Sequence, residues 1–431
     1  MSRAIGYQLS AISRRLSAIG YQLSAISRRL SAIGLRRPAM RYVGALLIAL
    51  SVSVPPRLAA QAHKVVLVSL DGFRADYLER PEAAHLRELA KEGVRAAWMR
   101  PSFPSLTFPN HYAIVTGLYP EHHGIVGNSI LDSTLGRFSL GDSAANVDPR
   151  WWGGEPIWAT AEKQGKRAAV FFWPGSEAGQ GGARPEFWRH YDGRVPFDAR
   201  VAQVLAWLGM KNDSAPQFIA VYFSEPDHAG HTFGPDSPQV NSAIAEADGE
   251  IGKLMAGIDS MRMHDQVDLI VVSDHGMAAT SPERVVYLDD YVPNDWYTLT
   301  EGGAGARIAP KPGYADSVYR RLKNANPHLQ VYWKADVPAR FHYDSNPRIP
   351  AIVAIADEGW YVTTHAYVQR RPFDMRGEHG YDNALPDMRA IFVARGPDFK
   401  RDTVVGGFQN IHVYDLLARL LHVTPAPNDG S

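Results

Sequence analysis

Five short apolar runs rich in β-branched residues recur along the chain: Val65–Leu70, Ala168–Phe172, Phe218–Phe223, Leu269–Val272 and Ala390–Ala394. They are apolar at successive positions, with Ser69 the exception, rather than at alternate ones, so both faces of each must be buried, and none is long enough for a core helix. Helical patterns lie between them at Ala84–Gly93, Glu155–Gly165 and Pro238–Ile258, the first two closed by glycine. Doubly buried strands alternating with helices predict a doubly wound α/β fold, its central sheet mostly parallel and flanked by helices. Residues from about 285 to 350 break the alternation with prolines, turn signals and strand-like runs such as "HLQVYWK". They read as a small inserted α+β subdomain ahead of the last core strand.

An open parallel sheet collects its chemistry outside the carboxyl ends of its strands. Asp71 follows the first run, "SEPDHAGH" after the third carries Asp227 and His231, and "SDHGM" after the fourth carries Asp274 and His275. "RGEHGYDNALPDMRA", just before the last run, adds His379. Any one of these is explained as a turn former or loop residue, but their convergence on one edge reads as a metal site. Imidazole and carboxylate without sulfur suit zinc, and also manganese or iron. Three aspartates and three histidines are too many for one tetrahedral ion and match two. Two ions about 4 Å apart can clamp the attacking and leaving oxygens of a phosphoryl transfer. Asp227 and His231 share a helix face, which their neighbour His228 does not; His111, His122 and His123 show no partner acid in register and stay outside the set.

The stretch "PSFPSLTFPN", Pro101–Asn110, stiffens the chain around one hydroxyl. Proline excludes a helix interior, while "HYAIVTGLYP" reads as a helix ending near Gly117, with Pro109 in its first turn and Thr107 at or beside its N-cap. Thr107 is then either an ordinary cap or a nucleophile. Beside two ions its pKa would fall, and the prolines would hold it in line with a phosphate.

The first 39 residues are different. Ala4–Ser17 recurs letter for letter at Ala18–Ser31, with Ile and Leu at heptad spacing. A coiled-coil seam would leave its exposed positions free to drift, so perfect identity reads as a duplicated segment absent from the mature protein. Residues 40–62 carry Arg41, the apolar "YVGALLIALSVSV" and the small-residue "AAQA", the pattern of a secretory signal. That apolar run is too short to span a bilayer comfortably. Without residues 1–62 the chain has 36 Lys and Arg against 45 Asp and Glu, a poor balance for a stable nucleic-acid complex. It has no cysteine, which removes thiolate-bound metals and disulfides from consideration. The expectation is a catalytic domain over 63–428, periplasmic or secreted, whose oligomeric state the sequence leaves open.

"LVSLDGFRADYL", "PSFPSLTFPNHYAIVTGLYPEHHGIVGN", "VVSDHGM" and "EHGYDNALPDM" together resemble the bacterial nucleotide pyrophosphatase/phosphodiesterases of the alkaline phosphatase superfamily, over nearly all of 64–428. The resemblance implies an alkaline-phosphatase-like sheet and two zinc ions per chain, one on Asp71, Thr107, Asp274 and His275, the other on Asp227, His231 and His379. It implies that Asn128 donates to a phosphate oxygen and that Phe108, Leu140, Tyr191 and Tyr222 form a nucleobase slot. The implied reaction releases nucleoside monophosphate from a small nucleotide through a phosphothreonine. A sister activity on phospholipid head-group or sulfate diesters would use the same metals. No cysteine, and no arginine at the required place after "SFPSL", speaks against a sulfatase. The lack of an arginine beside Thr107 speaks against a phosphomonoesterase, and a merely metal-binding protein would need no nucleophile.

Overall fold

The computed structural model describes residues 63–431 except 212–213 and 371–374, so the repeat at 1–39 and the signal-like segment at 40–62 lie outside the described residues. Twelve strands make up the two larger sheets: β1 (Lys64–Leu70), β2 (Val94–Ala96), β3 (Ala168–Phe171), β4 (Phe187–Arg189), β5 (Phe218–Phe223), β6 (Val267–Val272), β7 (Tyr297–Glu301), β8 (Gly305–Pro310), β9 (Leu329–Trp333), β10 (Ile352–Ala356), β11 (Phe392–Arg395) and β12 (Thr403–Val405). The helices that matter to the site are α1 (Ala84–Glu92), α2 (Thr107–Thr116), α3 (Ile157–Lys163), α4 (Phe197–Leu208), α5 (Asp227–Phe233), α6 (Pro238–Ser260) and α7 (Val413–Leu420).

The central sheet has the order β12-β2-β11-β6-β1-β5-β3-β4. β1 lies at its heart, hydrogen-bonded in parallel to β5 on one side and β6 on the other. Its side chains alternate between two cores. Val65 and Leu67 join Tyr112 and Ile114 of α2, Trp158 of α3 and Leu417 of α7. Val66, Val68 and Leu70 join Leu86 of α1, Val204 of α4 and Ile251 of α6. Burying one such side chain stabilises the fold by roughly 1.5–3 kcal/mol, so the consecutive apolar runs are what a sheet covered on both faces requires. β2, β4 and β12 leave little trace in the amino-acid sequence, because three residues at or near a sheet edge carry little hydrophobic signal.

One expectation is corrected. The run at Ala390–Ala394 forms β11, and it is antiparallel to both of its neighbours, not parallel. Phe392 pairs with Val272, so the chain enters β11 at the edge where β6 leaves the sheet. A strand buried on both faces has the same composition in either direction. The consequence is functional: a residue just before β11 arrives at the same edge as residues just after β1, β5 and β6.

Between β6 and β11, strands β7–β10 form an antiparallel sheet of order β7-β8-β10-β9 around its own apolar cluster, including Ile308, Val331 and Ile352. No described helix is long and apolar enough to cross a membrane.

Candidate active site

Three loops meet at the carboxyl edge of β1, β5 and β6. The Asp71 carbonyl accepts the Asp227 N–H at 3.0 Å, and the Gly72 N–H donates to Asp274 Oδ1 at 3.1 Å. Gly72 has φ +65°, and a Cβ there would sit 2.9 Å from the Asp227 backbone, so glycine is required for this approach. A short antiparallel pair, Ala278 opposite Glu378, brings the segment before β11 alongside the one after β6 and delivers His379.

All three ligand-type histidines are oriented alike. The Nδ1 of His231, His275 and His379 lies 2.9, 2.8 and 2.9 Å from the carbonyl oxygens of Gly377, Gly276 and Ser105. Donation from Nδ1 leaves each Nε2 lone pair facing the acids, the arrangement seen around bound metals. His275 Nε2 is 2.9 Å from Asp274 Oδ2 and 3.5 Å from Asp71 Oδ1; His231 and His379 Nε2 are each 3.5 Å from Asp227 Oδ1. These three carboxylate oxygens are buried without any hydrogen-bond donor. Orphaned buried carboxylate oxygens are costly, and a cation between them and the imidazoles removes the cost. The residues therefore fit divalent metal. Asp71, Asp274 and His275 form one compact set, and Asp227 and His379 close on His275 in another.

The surrounding charge is uneven. Burial, then the neighbouring Asp274 and Asp227, pushes the Asp71 carboxyl well up. Asp274 is equally buried, yet His275 and His111 hold it well below the usual carboxylate range. His111 belongs to none of the ligand groups among the described residues, but the expectation that it has no partner acid is corrected. One turn below Thr107 on α2, its Nδ1 lies 2.9 Å from the Thr107 carbonyl and 3.2 Å from Asp274 Oδ2. The acid in register sits on another element, which local sequence does not reveal. His122 also has an acid, Asp429, but away from this edge; His123 bonds the Pro109 carbonyl, and His228 has no partner in the metal clusters.

Thr107 is the first residue of α2, and Leu106, not Thr107, occupies the N-cap without any side-chain capping bond. Its hydroxyl is free of capping and lies 3.3 Å from His275 Nε2. The proline-rich loop before it lacks backbone donors, and buried Asn110 compensates. The Asn110 amide nitrogen donates to the carbonyls of Pro104 and Leu106, and its oxygen accepts the Ser102 N–H.

Asn128 Oδ1 accepts the Phe108 N–H at 3.0 Å, which leaves its NH2 available to a ligand. Its backbone is held from the inserted sheet: Glu301 Oε1 accepts the N–H groups of Asn128 (2.8 Å) and Ser129 (3.0 Å). Glu301 and Asn110 are positioning residues; Glu301 lies in no motif, and Asn110 closes the proline-rich stretch around Thr107.

Against Thr107 opens a cavity of about 220 Å³ lined by Phe108, Leu140, Tyr191 and Tyr222, together with Trp152 and Phe172. Its lining contains no lysine or arginine. Tyr191 and Leu140 are exposed at the rim, whereas Tyr222 is buried and donates its hydroxyl to Asp71 Oδ2 at 2.7 Å. The proposed base slot and the acidic cluster therefore share one wall.

Comparison with known proteins agrees with this geometry. A family model described as type I phosphodiesterase / nucleotide pyrophosphatase matches residues 65–382. Ectonucleotide pyrophosphatase/phosphodiesterase family member 3 of Rattus norvegicus is 41% identical over 379 residues, covering 85% of this chain and 43% of that protein. A venom phosphodiesterase of Crotalus durissus collilineatus is 40% identical over 378 residues, with 85% and 45% covered. The chain thus spans less than half the length of these curated relatives. It spans 80% of the Homo sapiens family member 5, at 39% identity, and 90% of this chain is covered. Among solved structures, an inactive threonine-to-alanine variant of murine ectonucleotide pyrophosphatase/phosphodiesterase 5 in complex with AMP superposes with a TM-score of 0.81 at 38% identity, covering 86% of this chain and 97% of that one. The chain belongs to the type I phosphodiesterase / nucleotide pyrophosphatase family.

Proposed function

We propose that this chain hydrolyses nucleotide phosphodiester and pyrophosphate bonds, releasing nucleoside monophosphate through a phosphothreonine on Thr107. One observation carries the reading: an uncapped threonine hydroxyl stands between an oriented Asp/His cluster and an aromatic cavity without cationic side chains. Asp71, Thr107, Asp274 and His275 would hold one zinc, and Asp227, His231 and His379 a second. Bound there, the two ions would neutralise phosphate oxygens and lower the pKa of the attacking hydroxyl.

The chain's own residues account for the rest. Thr107 Oγ forms a bond to the α-phosphorus as the bond to the leaving oxygen breaks; that oxygen keeps the electron pair, and the hydroxyl proton passes to solvent. Water then attacks phosphorus, the Thr107 ester bond breaks, and a proton from the water restores the hydroxyl. The NH2 of Asn128 donates to a non-bridging phosphate oxygen, since its carbonyl is already engaged. Phe108 and the tyrosines offer the base a stacking surface, a contact that contributes about 1–3 kcal/mol in single-strand binders. Because the cavity lining supplies no arginine for a second phosphate charge, diesters should be preferred to monoesters. The AMP-bound, threonine-to-alanine murine relative supports both the nucleoside slot and the nucleophile.

Hydrolysis of ATP in ¹⁸O-labelled water tests the reading. Labelled AMP with unlabelled pyrophosphate is expected; ADP and orthophosphate as first products would overturn it. We also read the chain as a bacterial family member whose residues 40–62 direct export, leaving 63–428 as a periplasmic or secreted catalytic domain with an inserted subdomain near 285–350. The charge pattern and small-residue site of that segment support this, and an intact mass beginning near His63 is expected from the native compartment.

A further inference from the structure

The reaction proposed above splits a substrate into two parts, and the aromatic cavity accounts for only one. When the bond at the α-phosphorus breaks, the pair stays on the departing oxygen, so a pyrophosphate leaving group gains a further negative charge. Nothing cationic lines the Thr107 cavity to meet it.

A second, larger cleft of about 800 Å³ is lined by Ser129, the residue after Asn128, and by Glu301 and Gly302. Its place relative to the site follows from the neighbours of Glu301 and Gly303. Glu301 ties this cleft to the Asn128 backbone. Gly303, next to Gly302, is bridged to cleft residue Val362, and a Cβ placed on it would lie 3.2 Å from Glu378 Oε2. Glu378 in turn groups with His231 and His379. The cleft therefore borders the phosphate-oxygen donor and the His231/His379 side of the cluster. Thr107 stands by His275, so an in-line displacement drives the leaving oxygen away from Thr107 and toward that other side.

Two arginines line this cleft, Arg137 and Arg370. Both are exposed, and among the described residues neither guanidinium has a hydrogen-bond or ion-pair partner. Ser139, Thr363 and Tyr367 add hydroxyl groups. Unpaired guanidinium groups beside hydroxyls recognise phosphate oxygens by charge-assisted hydrogen bonds.

We infer that this cleft is the leaving-group subsite and that Arg137 and Arg370 select substrates whose departing group is a phosphate chain, such as pyrophosphate or the polyphosphate of a second nucleotide. The inference rests on the nucleotide hydrolysis proposed above and narrows it to polyanionic leaving groups. The test compares wild type with Arg137→Gln, Arg370→Gln and the double variant on ATP, on diadenosine tetraphosphate and on the p-nitrophenyl ester of thymidine 5′-monophosphate. Inhibition by inorganic pyrophosphate is measured alongside. Each substitution should lower kcat/KM for ATP by about tenfold relative to the aryl ester, and the pair by about a hundredfold, as expected for lost charge-assisted hydrogen bonds. The pyrophosphate inhibition constant should rise in step. An equal fall for the dinucleotide assigns the cleft to any phosphate chain; a fall for ATP alone confines it to terminal pyrophosphate. Unaltered ATP-to-ester ratios and pyrophosphate inhibition would overturn the subsite while leaving nucleotide hydrolysis standing. Parallel loss on every substrate would also overturn it. A wild type that cleaves none of the three would remove the underlying function and the subsite with it.

Discussion

Replacing Tyr222 by phenylalanine separates two roles that the structure gives to one ring. The aromatic face lines the nucleoside cavity, next to Tyr191 at a centroid distance of 6.4 Å. The hydroxyl, 2.7 Å from Asp71 Oδ2, occupies one carboxylate oxygen and leaves Oδ1 turned toward His275. Tyr222→Phe keeps the face and deletes one buried hydrogen bond to an acid. Such bonds to charged groups contribute about 1.5–3 kcal/mol. The residual Asp71 oxygen would lose its only donor while staying buried, so most of that cost should fall on the ionised carboxylate. Zinc binding at the Asp71 set should weaken by about 10- to 100-fold, the usual effect of losing a partner to a ligand. Competition with a chromogenic chelator measures this directly, without turnover. At saturating zinc, KM for a nucleotide diester should stay within about twofold, because stacking needs only the ring face. Wild-type zinc affinity in the variant would refute the argument that Tyr222 holds Asp71. A large rise in KM with unaltered zinc affinity would make the residue a base platform alone.

Thr107→Ala should cut turnover by about a thousandfold or more while changing stability by no more than about 0.5 kcal/mol, because the hydroxyl makes no capping bond; kinetics and denaturant melts check both, and substantial residual turnover would rule out the covalent step. Chelation should abolish activity and lower Tm, and zinc at 100-fold over its Kd should restore about 2.7 kcal/mol for each site filled, with close to two ions bound per chain by elemental analysis. Glu301 gives a pH test: burial pushes its carboxyl from 4.5 to about 7, against the pull of Arg307 and the Asn128 and Ser129 N–H groups. A folded pKa raised above the unfolded one means a contribution fully present below about pH 4.5 and lost as pH rises through 7, worth about 3 kcal/mol. Glu301→Gln keeps the acceptor oxygen and removes the titration, so its stability relative to wild type should climb between pH 5 and 8; a difference independent of pH would refute the assignment.

The elements that carry the acids and histidines were legible in the amino-acid sequence because local physics writes them there. A strand covered on both faces needs consecutive apolar residues, its end is marked by the first polar ones, and the prolines ahead of Thr107 keep a helix from starting before it. Asp71, Asp227, His231, Asp274 and His275 could be placed at one edge from these signals alone, whereas His379 joins them only because β11 runs antiparallel. The helix limits were equally local: Ser237 accepts the Val240 N–H with Pro238 behind it to start α6, and Gly117 at φ 68° ends α2. What the tertiary structure decided depends on partners far apart in the chain. Strand direction is one case, since β11 has the composition of a parallel strand and its antiparallel course depends on where the chain re-enters the sheet. His111 gains its acid from 163 residues away, Tyr222 bonds an aspartate 151 residues earlier, and Glu301 supports a loop 173 residues before it. Arg137 and Arg370 share a cleft although nothing in either local sequence points to the other. Periodicity and turn chemistry act over a few residues and so can be read directly, whereas these pairings arise only when two cores and an inserted sheet pack together.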